Sequence, residues 1–487
     1  MPYSPTFLPL LLKMKTNKLF SKKNIANLIL LSGYIAAHVI LILHHEAWGD
    51  EAQAWIIAKN TSLSELFPAL CAEGHPAGWF LLIKLVQAAG LSFYNFSFLS
   101  LLLMSVSVSL LLWKTEIPFP IKLVFLLSSL FCYFNPVICR TYSLVVLIVM
   151  LLAVLWKRRF EKPVLFGFLV AILFQTHILM AGLAGSLMFI LFAHSRNNRK
   201  VLAGATASLL GFLATVLELY PRSDVIKSVN YSLSGILANL SVRSAVDSSM
   251  LFPYQLFSTA PVFLTLILSA AVSAITTALF IYKEGKLFKD SIFIAVCSFG
   301  FIFLVNATIY KITIQAATLI VLLVLFIFAI SFGQSNSKFI KVLSLIFVCV
   351  LSLGTYHTWI RSARSDFLRD FSESKNMADY IAVNLEDSSI IVMKDEELAR
   401  AGVYAYVSSS RPDIIFWCPD TGEEYSFYNW STTVSGISDA DAIGMAKEKY
   451  KDKPIYLLTW YESGFDLERV FAANEFCEKN DPSWLYK

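Results

Sequence analysis

From residue 24 to residue 357 the chain alternates long apolar runs with short polar joints, and then the pattern changes. The first run, Asn24 to Leu43, has about the 20 residues that a helical span needs. Further runs occupy 96–113, 119–137, 142–156, 163–177, 178–193, 201–219, 255–282, 291–309, 312–332 and 339–356. Each predicts a span, about eleven transmembrane helices in all. The run at 76–93 differs, because Lys84 and Gln87 interrupt it. It predicts either one more span or an amphipathic helix lying in the interface.

Charge decides between these two. Lys13, Lys15, Lys18, Lys22 and Lys23 precede the first run, without a signal-peptide cleavage pattern. Residues 1–23 are therefore expected in the cytoplasm, with the first run retained as an anchor and its far end outside. The strongest internal basic loop, Lys157-Arg158-Arg159-Phe160-Glu161-Lys162, belongs inside by the same rule. Counting back three spans puts residue 95 outside, and residue 75 is outside already. The 76–93 helix is therefore interfacial or re-entrant, within a first outer loop at 44–95.

Beyond Arg361 charges and turn residues return, and no run is long enough to span. Helices are expected near 367–384, 396–409 and 438–450, with strands at Ser389–Met393, Asp413–Trp417 and Pro454–Trp460. The alternation predicts a soluble α/β domain at 360–487 with a mostly parallel sheet. The expected fold class is a polytopic α-helical membrane protein, 24–357, carrying this domain on its outer face. The expected location is the plasma (inner) membrane, with the C-terminal domain periplasmic or extracellular.

Composition agrees. Of 487 residues 56% are hydrophobic and only 15% charged, where a soluble protein carries about 25% charged residues. The net charge of +5 lies in short loops. That distribution orients a membrane protein and offers no patch for nucleic acid. The seven cysteines show no CxxC or Cys/His metal spacing.

The polar residues that stand out all fall at expected outer ends of spans. They are Asp50 and Glu51, Glu73-Gly74-His75-Pro76, Lys84, Arg140-Thr141-Tyr142, His177 and Lys311. Acids beside cations in one outer cavity suit a reaction at an anionic lipid headgroup. Arg and Lys would hold a phosphate, and a carboxylate would take the proton of an attacking hydroxyl. Each residue taken singly has a plainer reading. Asp50-Glu51 serves as a solvated helix cap, Arg140 and Lys84 snorkel to the interface, and His177 hydrogen-bonds within a turn. His44-His45-Glu46 is a weak metal signal, since adjacent side chains point apart on a helix.

The order of these motifs resembles the GT-C superfamily of membrane glycosyltransferases, in its protein O-mannosyltransferase-like branch, which includes the aminoarabinose lipid A transferases. The first span is followed by an acidic pair, Asp50-Glu51. His75-Pro76 opens a short apolar helix, Gly78-Trp79-Phe80-Leu81-Leu82. Arg140-Thr141-Tyr142-Ser143 begins a later span, and Thr176-His177 marks the next outer turn. The resemblance covers roughly 44–200, is weak over 200–357 and is absent from 360–487. Two positions depart from the pattern: Ala77 replaces a second proline, and Ile138 replaces an acid two residues before Arg140.

The resemblance implies transfer of a sugar from a polyprenyl-phosphate donor to a lipid, glycan or protein hydroxyl, with inversion. Asp50 would be the general base and Glu51 its catalytic neighbour. Arg140, Lys84 and Lys311 would bind phosphate, and His75, Tyr142 and His177 would line the site. A divalent metal ion is an open option for which the sequence names no ligand set. Two other classes stay in view: a transporter or flippase of a lipid-linked sugar, and a non-catalytic membrane protein presenting the outer domain.

Overall fold

The computed structural model describes residues 21–47, 49–73, 75–220, 288–308, 314–331, 338–368, 373–393, 399–427, 436–461, 464–470 and 476–479. Its helices in the first half are α1 (Lys22–His44), α2 (Gly49–Asn60), α3 (Leu63–Glu73), α4 (Gly78–Ala88), α5 (Ser97–Lys114), α6 (Phe119–Leu126), α7 (Tyr142–Leu155), α8 (Pro163–Phe174), α9 (Ala181–Ala193) and α10 (Arg199–Glu218). Then come α11 (Phe288–Thr308), α12 (Ile314–Ser331), α13 (Lys338–Leu368) and α14 (Ser374–Asn384). The remainder is β1 (Ile390–Val392), α15 (Ala399–Ser410), β2 (Ile415–Cys418), β3 (Glu423–Glu424), α16 (Asp439–Lys449), β4 (Ile455–Tyr461), β5 (Gly464–Val470) and β6 (Phe476–Lys479).

Among the described residues three helices are long and apolar enough to cross a membrane: α1, the helical run Phe93–Lys114 that contains α5, and α10. Ile29, Ile40 and Leu43 on α1, Leu102 on α5, and Leu210 and Leu217 on α10 are exposed. Large apolar side chains in water at this density are unfavourable, so these helices associate with a membrane. Shorter apolar helices lie at Gly78–Ala88, Pro163–Phe174, Ile178–Ala193, Asp290–Ile302 and Thr318–Ser331. The expected span at 255–282 lies outside the described residues.

Small residues let α8 and α10 approach closely. A Cβ on Gly167 would collide with the Gly204 backbone, and one on Gly211 with Ala171. Such contacts are how helices associate where lipid removes the hydrophobic driving force.

The expected interfacial helix is α4. Its 11 residues extend only about 16 Å, half of a ~30 Å hydrocarbon core. Trp79, Phe80 and Ile83 are buried while Leu81 and Leu85 are exposed.

Three expectations need correction. The run 119–137 is not one helix. α6 stops at Leu126, and 127–141 is irregular, buried from Ser128 to Cys139. The run is apolar on average but carries Ser128, Ser129 and Asn135-Pro136, which favour other backbone shapes. Ser128 Oγ donates to the Phe125 carbonyl at 2.6 Å, and Asn135 Nδ2 to Leu130 O at 2.8 Å and Thr318 Oγ1 at 3.2 Å. Irregular backbone is tolerated at this depth because protein buries it and satisfies its polar groups.

Second, the expected boundary at 360 falls inside α13, a helix of 31 residues. Polar residues after 357 end the hydropathy signal without ending the helix. Third, the sheet is mixed. Its order is β3-β2-β1-β4-β5-β6. β1 pairs in parallel with β2 and β4, while β3, β5 and β6 add antiparallel edges.

The α/β region sits on the segment that follows α1, residues 45–95. Tyr406 of α15 accepts a hydrogen bond from the Ala47 N–H at 3.0 Å, and its ring meets Phe93 and Tyr94. Glu46 accepts from the Lys375 N–H, and Asn60 Nδ2 donates to Tyr404 Oη and the Ser426 carbonyl. Met377 and Tyr406 belong to the same apolar core as Trp55 and Phe96.

Candidate functional site

The turn between α8 and α9 is the hub of the end of the helices that carries Asp50. Gly78 N–H donates to the Gln175 carbonyl at 2.9 Å. A Cβ on Gly78 would overlap that carbonyl, so a side chain there would force the α4 start away from the turn. Thr141 Oγ1 donates to the next carbonyl, Thr176 O, at 3.0 Å. Two residues after Gln175 comes His177. One short turn thus pins the helix that follows His75-Pro76 and the segment that carries Arg140. Glu218, at the end of α10, supports it by accepting the Ala77 N–H at 3.1 Å and lying against the Gln175 amide.

Five of the eight candidate residues come together around this hub. The Arg140 guanidinium pairs with Asp50 at 2.7 Å, and both side chains are partly exposed, at 16% and 23%. Arg140 also lies over the Tyr142 ring, 5.6 Å from its centroid. Tyr142 packs on His177 at 5.0 Å, and His177 meets His75 edge-on at 5.2 Å. Burial opposes the charge on Arg140, but Asp50, with Tyr142, Glu51 and Glu73, outweighs it and raises its pKa. His177 Nδ1 accepts the Leu179 N–H at 3.1 Å, so the ring is neutral with its proton on Nε2. His75 Nδ1 donates to the Glu73 carbonyl at 3.0 Å, and Glu73 in turn accepts from Gln53 at 2.7 Å.

Glu51 lies elsewhere in function. It has no exposure. Its Oε1 accepts the Cys139 N–H at 2.5 Å, and its Oε2 meets His45 Nε2 at 3.0 Å. The other ring nitrogen of His45 meets Asp366 Oδ2 at 2.9 Å, and Tyr133 Oη donates to the same oxygen at 3.0 Å. Successive helix positions point about 100° apart, so Asp50 faces the open cluster while Glu51 faces the interior. A carboxylate sealed this way touches no substrate, which corrects its expected direct part in chemistry.

Lys84 does not join the cluster. Lys84 donates to the carbonyls of Ala58, at 2.6 Å, and Thr61. It thereby caps the negative end of α2, roughly 12 Å along the axis from Asp50. Lys311 lies outside the described residues. Among the described residues no group of three or more His, Cys, Asp or Glu is arranged to hold a metal. Both ring nitrogens of His45 are engaged by carboxylates.

Sequence reasoning missed His45 as a partner of Glu51, and missed Tyr133 and Asp366 altogether. Asp366 is more than 300 positions from the acids it serves, on a helix whose sequence near it, Arg361-Ser362-Ala363-Arg364-Ser365-Asp366, reads as solvated surface. Tyr133 adopts φ of 64°, which is unfavourable for a bulky residue and is held by its bond to Asp366. No family model matches this chain, and no curated protein matches it.

Proposed function

We propose that this chain is a membrane glycosyltransferase of the GT-C type. It would move a sugar from a polyprenyl phosphate to a hydroxyl acceptor at the outer face of the plasma (inner) membrane. One observation carries the reading. Asp50, His75, Arg140, Tyr142 and His177 come from four separate stretches of chain and meet in one partly exposed cluster. Their order in the sequence carries the resemblance independently of this convergence.

In this reading Asp50 deprotonates the acceptor, and Arg140 receives the negative charge that develops on the leaving phosphate. Inversion puts base and leaving group on opposite faces of the sugar. The Asp50–Arg140 pair must then part by the width of a sugar ring when donor binds, and its partial exposure leaves room for that. His75, Tyr142 and His177 form the wall beside Arg140. The eleven-span topology belongs to the same proposal, with the N-terminus cytoplasmic and the α/β region outside. Its support is the clustering of Lys122, Lys157 and Arg159 with Glu116 and Asp290 at the other end of the helices.

The test is sugar transfer from undecaprenyl-phosphate-linked hexose in nanodiscs, wild type against Asp50→Asn. The expected loss is about 10²–10⁴-fold, the usual contribution of a general base. Full activity in the variant removes Asp50 as the base. Lipid movement across vesicles without any transfer by the wild type replaces this reading with a transporter.

A further inference from the structure

His45 and Asp366 take no part in the cluster just described, yet they are among its closest buried neighbours. Their chain of contacts has a direction. Asp366, on the last turn of α13, is 4% exposed and receives Tyr133 Oη and His45 Nδ1 on one oxygen. His45 passes the contact on to Glu51, whose second oxygen takes the Cys139 N–H. Cys139 is the residue before Arg140, and Glu51 is the residue after Asp50. The chain therefore ends on the backbones of both members of the Asp50–Arg140 pair.

We propose that His45 and Asp366 are positioning residues for the phosphate-binding arginine, acting through Glu51 to hold the 139–140 backbone against the first turn of α2. The proposal rests on the transferase reading above. Three further features favour it over simple packing. The segment 127–141 is irregular, so no helical ladder fixes where Arg140 sits, and the Glu51–Cys139 bond supplies that constraint. Arg binds phosphate through a planar fork whose worth depends on orientation, so a small backbone shift matters there more than at a point charge. The arrangement also keeps charge on the central group. Burial opposes protonation of His45, but Glu51 and Asp366 outweigh it and push its pKa up to about 10. Near neutrality His45 is an imidazolium between Glu51 and Asp366, joined to them by charge-assisted hydrogen bonds, which are the strong kind.

The experiment is a double-mutant cycle on binding of undecaprenyl phosphate to the full chain in nanodiscs. It uses wild type, His45→Gln, Arg140→Lys and the double variant. Arg140→Lys keeps the charge and removes the fork. The expected result is a loss of about tenfold on His45→Gln beside Arg140, and less than about twofold beside Lys, because residues acting through one another are not additive. Equal losses in both backgrounds, or no loss in either, overturn the positioning role, since a general packing defect would not distinguish Arg from Lys. Absence of binding by the wild type overturns the lipid-phosphate reading itself and is seen before any variant is compared. Where His45→Gln does not yield monodisperse protein, Asp366→Asn runs the same cycle, being isosteric and still able to accept from His45.

Discussion

At the basic end of the helices each charge has its own separate partner. Lys122 donates to the carbonyls of Leu112 and Thr115 at 3.0 Å each, closing the C-terminus of α5 a few residues away. Arg159 stacks on Trp156, its neighbour in the chain, 3.9 Å from the ring centroid, and reaches Asp290 at 3.0 Å. Lys157 pairs with Glu116 at 2.5 Å, both about half exposed. At the opposite end of α1 the charges are interlocked. His45, Glu51, Asp366, Asp50 and Arg140 connect the end of α1, the start of α2, the segment before α7 and the end of α13. The basic end requires only the right sign of charge in the right loop. The end that carries Asp50 requires particular atoms at particular distances. The two ends should therefore respond very differently to substitution.

Glu51→Ala should show the largest effect. It strips His45 and the Cys139 N–H of their common acceptor inside the protein, and breaking a buried pair from one side costs about 3–5 kcal/mol. Retention of monodisperse protein after heating in detergent should fail well below the wild-type temperature, and sugar transfer should be lost. A Glu51→Ala protein as heat-stable as the wild type would show that the Asp50 end is no more interlocked than the basic one.

His45 makes the same point through pH. Its folded-state pKa lies above its ordinary value, at about 10 against 6.5, and the groups facing it are Glu51 and Asp366, with Tyr133 sharing the Asp366 oxygen. The stability it contributes is therefore fully present below pH 6.5 and is lost as pH rises through about 10. The difference in unfolding temperature between wild type and His45→Gln should be widest near about pH 6 and shrink by several degrees toward about pH 10.5. A constant difference across that range would mean that His45 packs without carrying charge.

How much of this could be read from the sequence depended on the kind of signal. Apolar runs and the β1, β2 and β4 strands were legible because hydrophobic periodicity survives averaging over a window. The break at 127–141 was not, because Asn135-Pro136 is diluted by its apolar neighbours. β5 was missed although Phe465, Asp466, Leu467 and Glu468 alternate as a strand should, because the expected sheet was built only from strands that follow helices. In the site, Asp50, His75, Arg140, Tyr142 and His177 were legible as an ordered set. Their division of labour was not, because Asp50 and Glu51 are adjacent in sequence and diverge only once α2 forms. Asp366 carried no local signal at all, since its meaning comes from a tertiary contact.

Gly78→Ala probes the hub without touching a charge. The added methyl meets the Gln175 carbonyl, and overpacking of this kind costs about 1–3 kcal/mol. The expected result is a modest fall in unfolding temperature with a larger fall in transfer, since His75 and His177 flank the contact. Gly185 on α9 provides the control. Its Cβ position is open space, so Gly185→Ala should leave both readouts unchanged. Equal behaviour of the two variants would remove the 175–177 turn as the organiser of the Asp50 end.

The smallest effect is expected from Lys157→Ala, and its smallness is informative. The Lys157–Glu116 pair is about half exposed on both sides, and exposed pairs contribute roughly 0–1 kcal/mol. Heat stability and transfer should both stay close to wild type. What the residue supplies is one of several positive charges in its loop, and orientation responds to their sum. Removing one should leave topology intact, whereas replacing Lys157, Arg158, Arg159 and Lys162 together should disturb it, as cysteine-accessibility labelling from each side of the membrane would report. Transfer that collapses on Lys157→Ala alone would mean that the basic end carries a precise site of its own, and the contrast between the two ends would then fall.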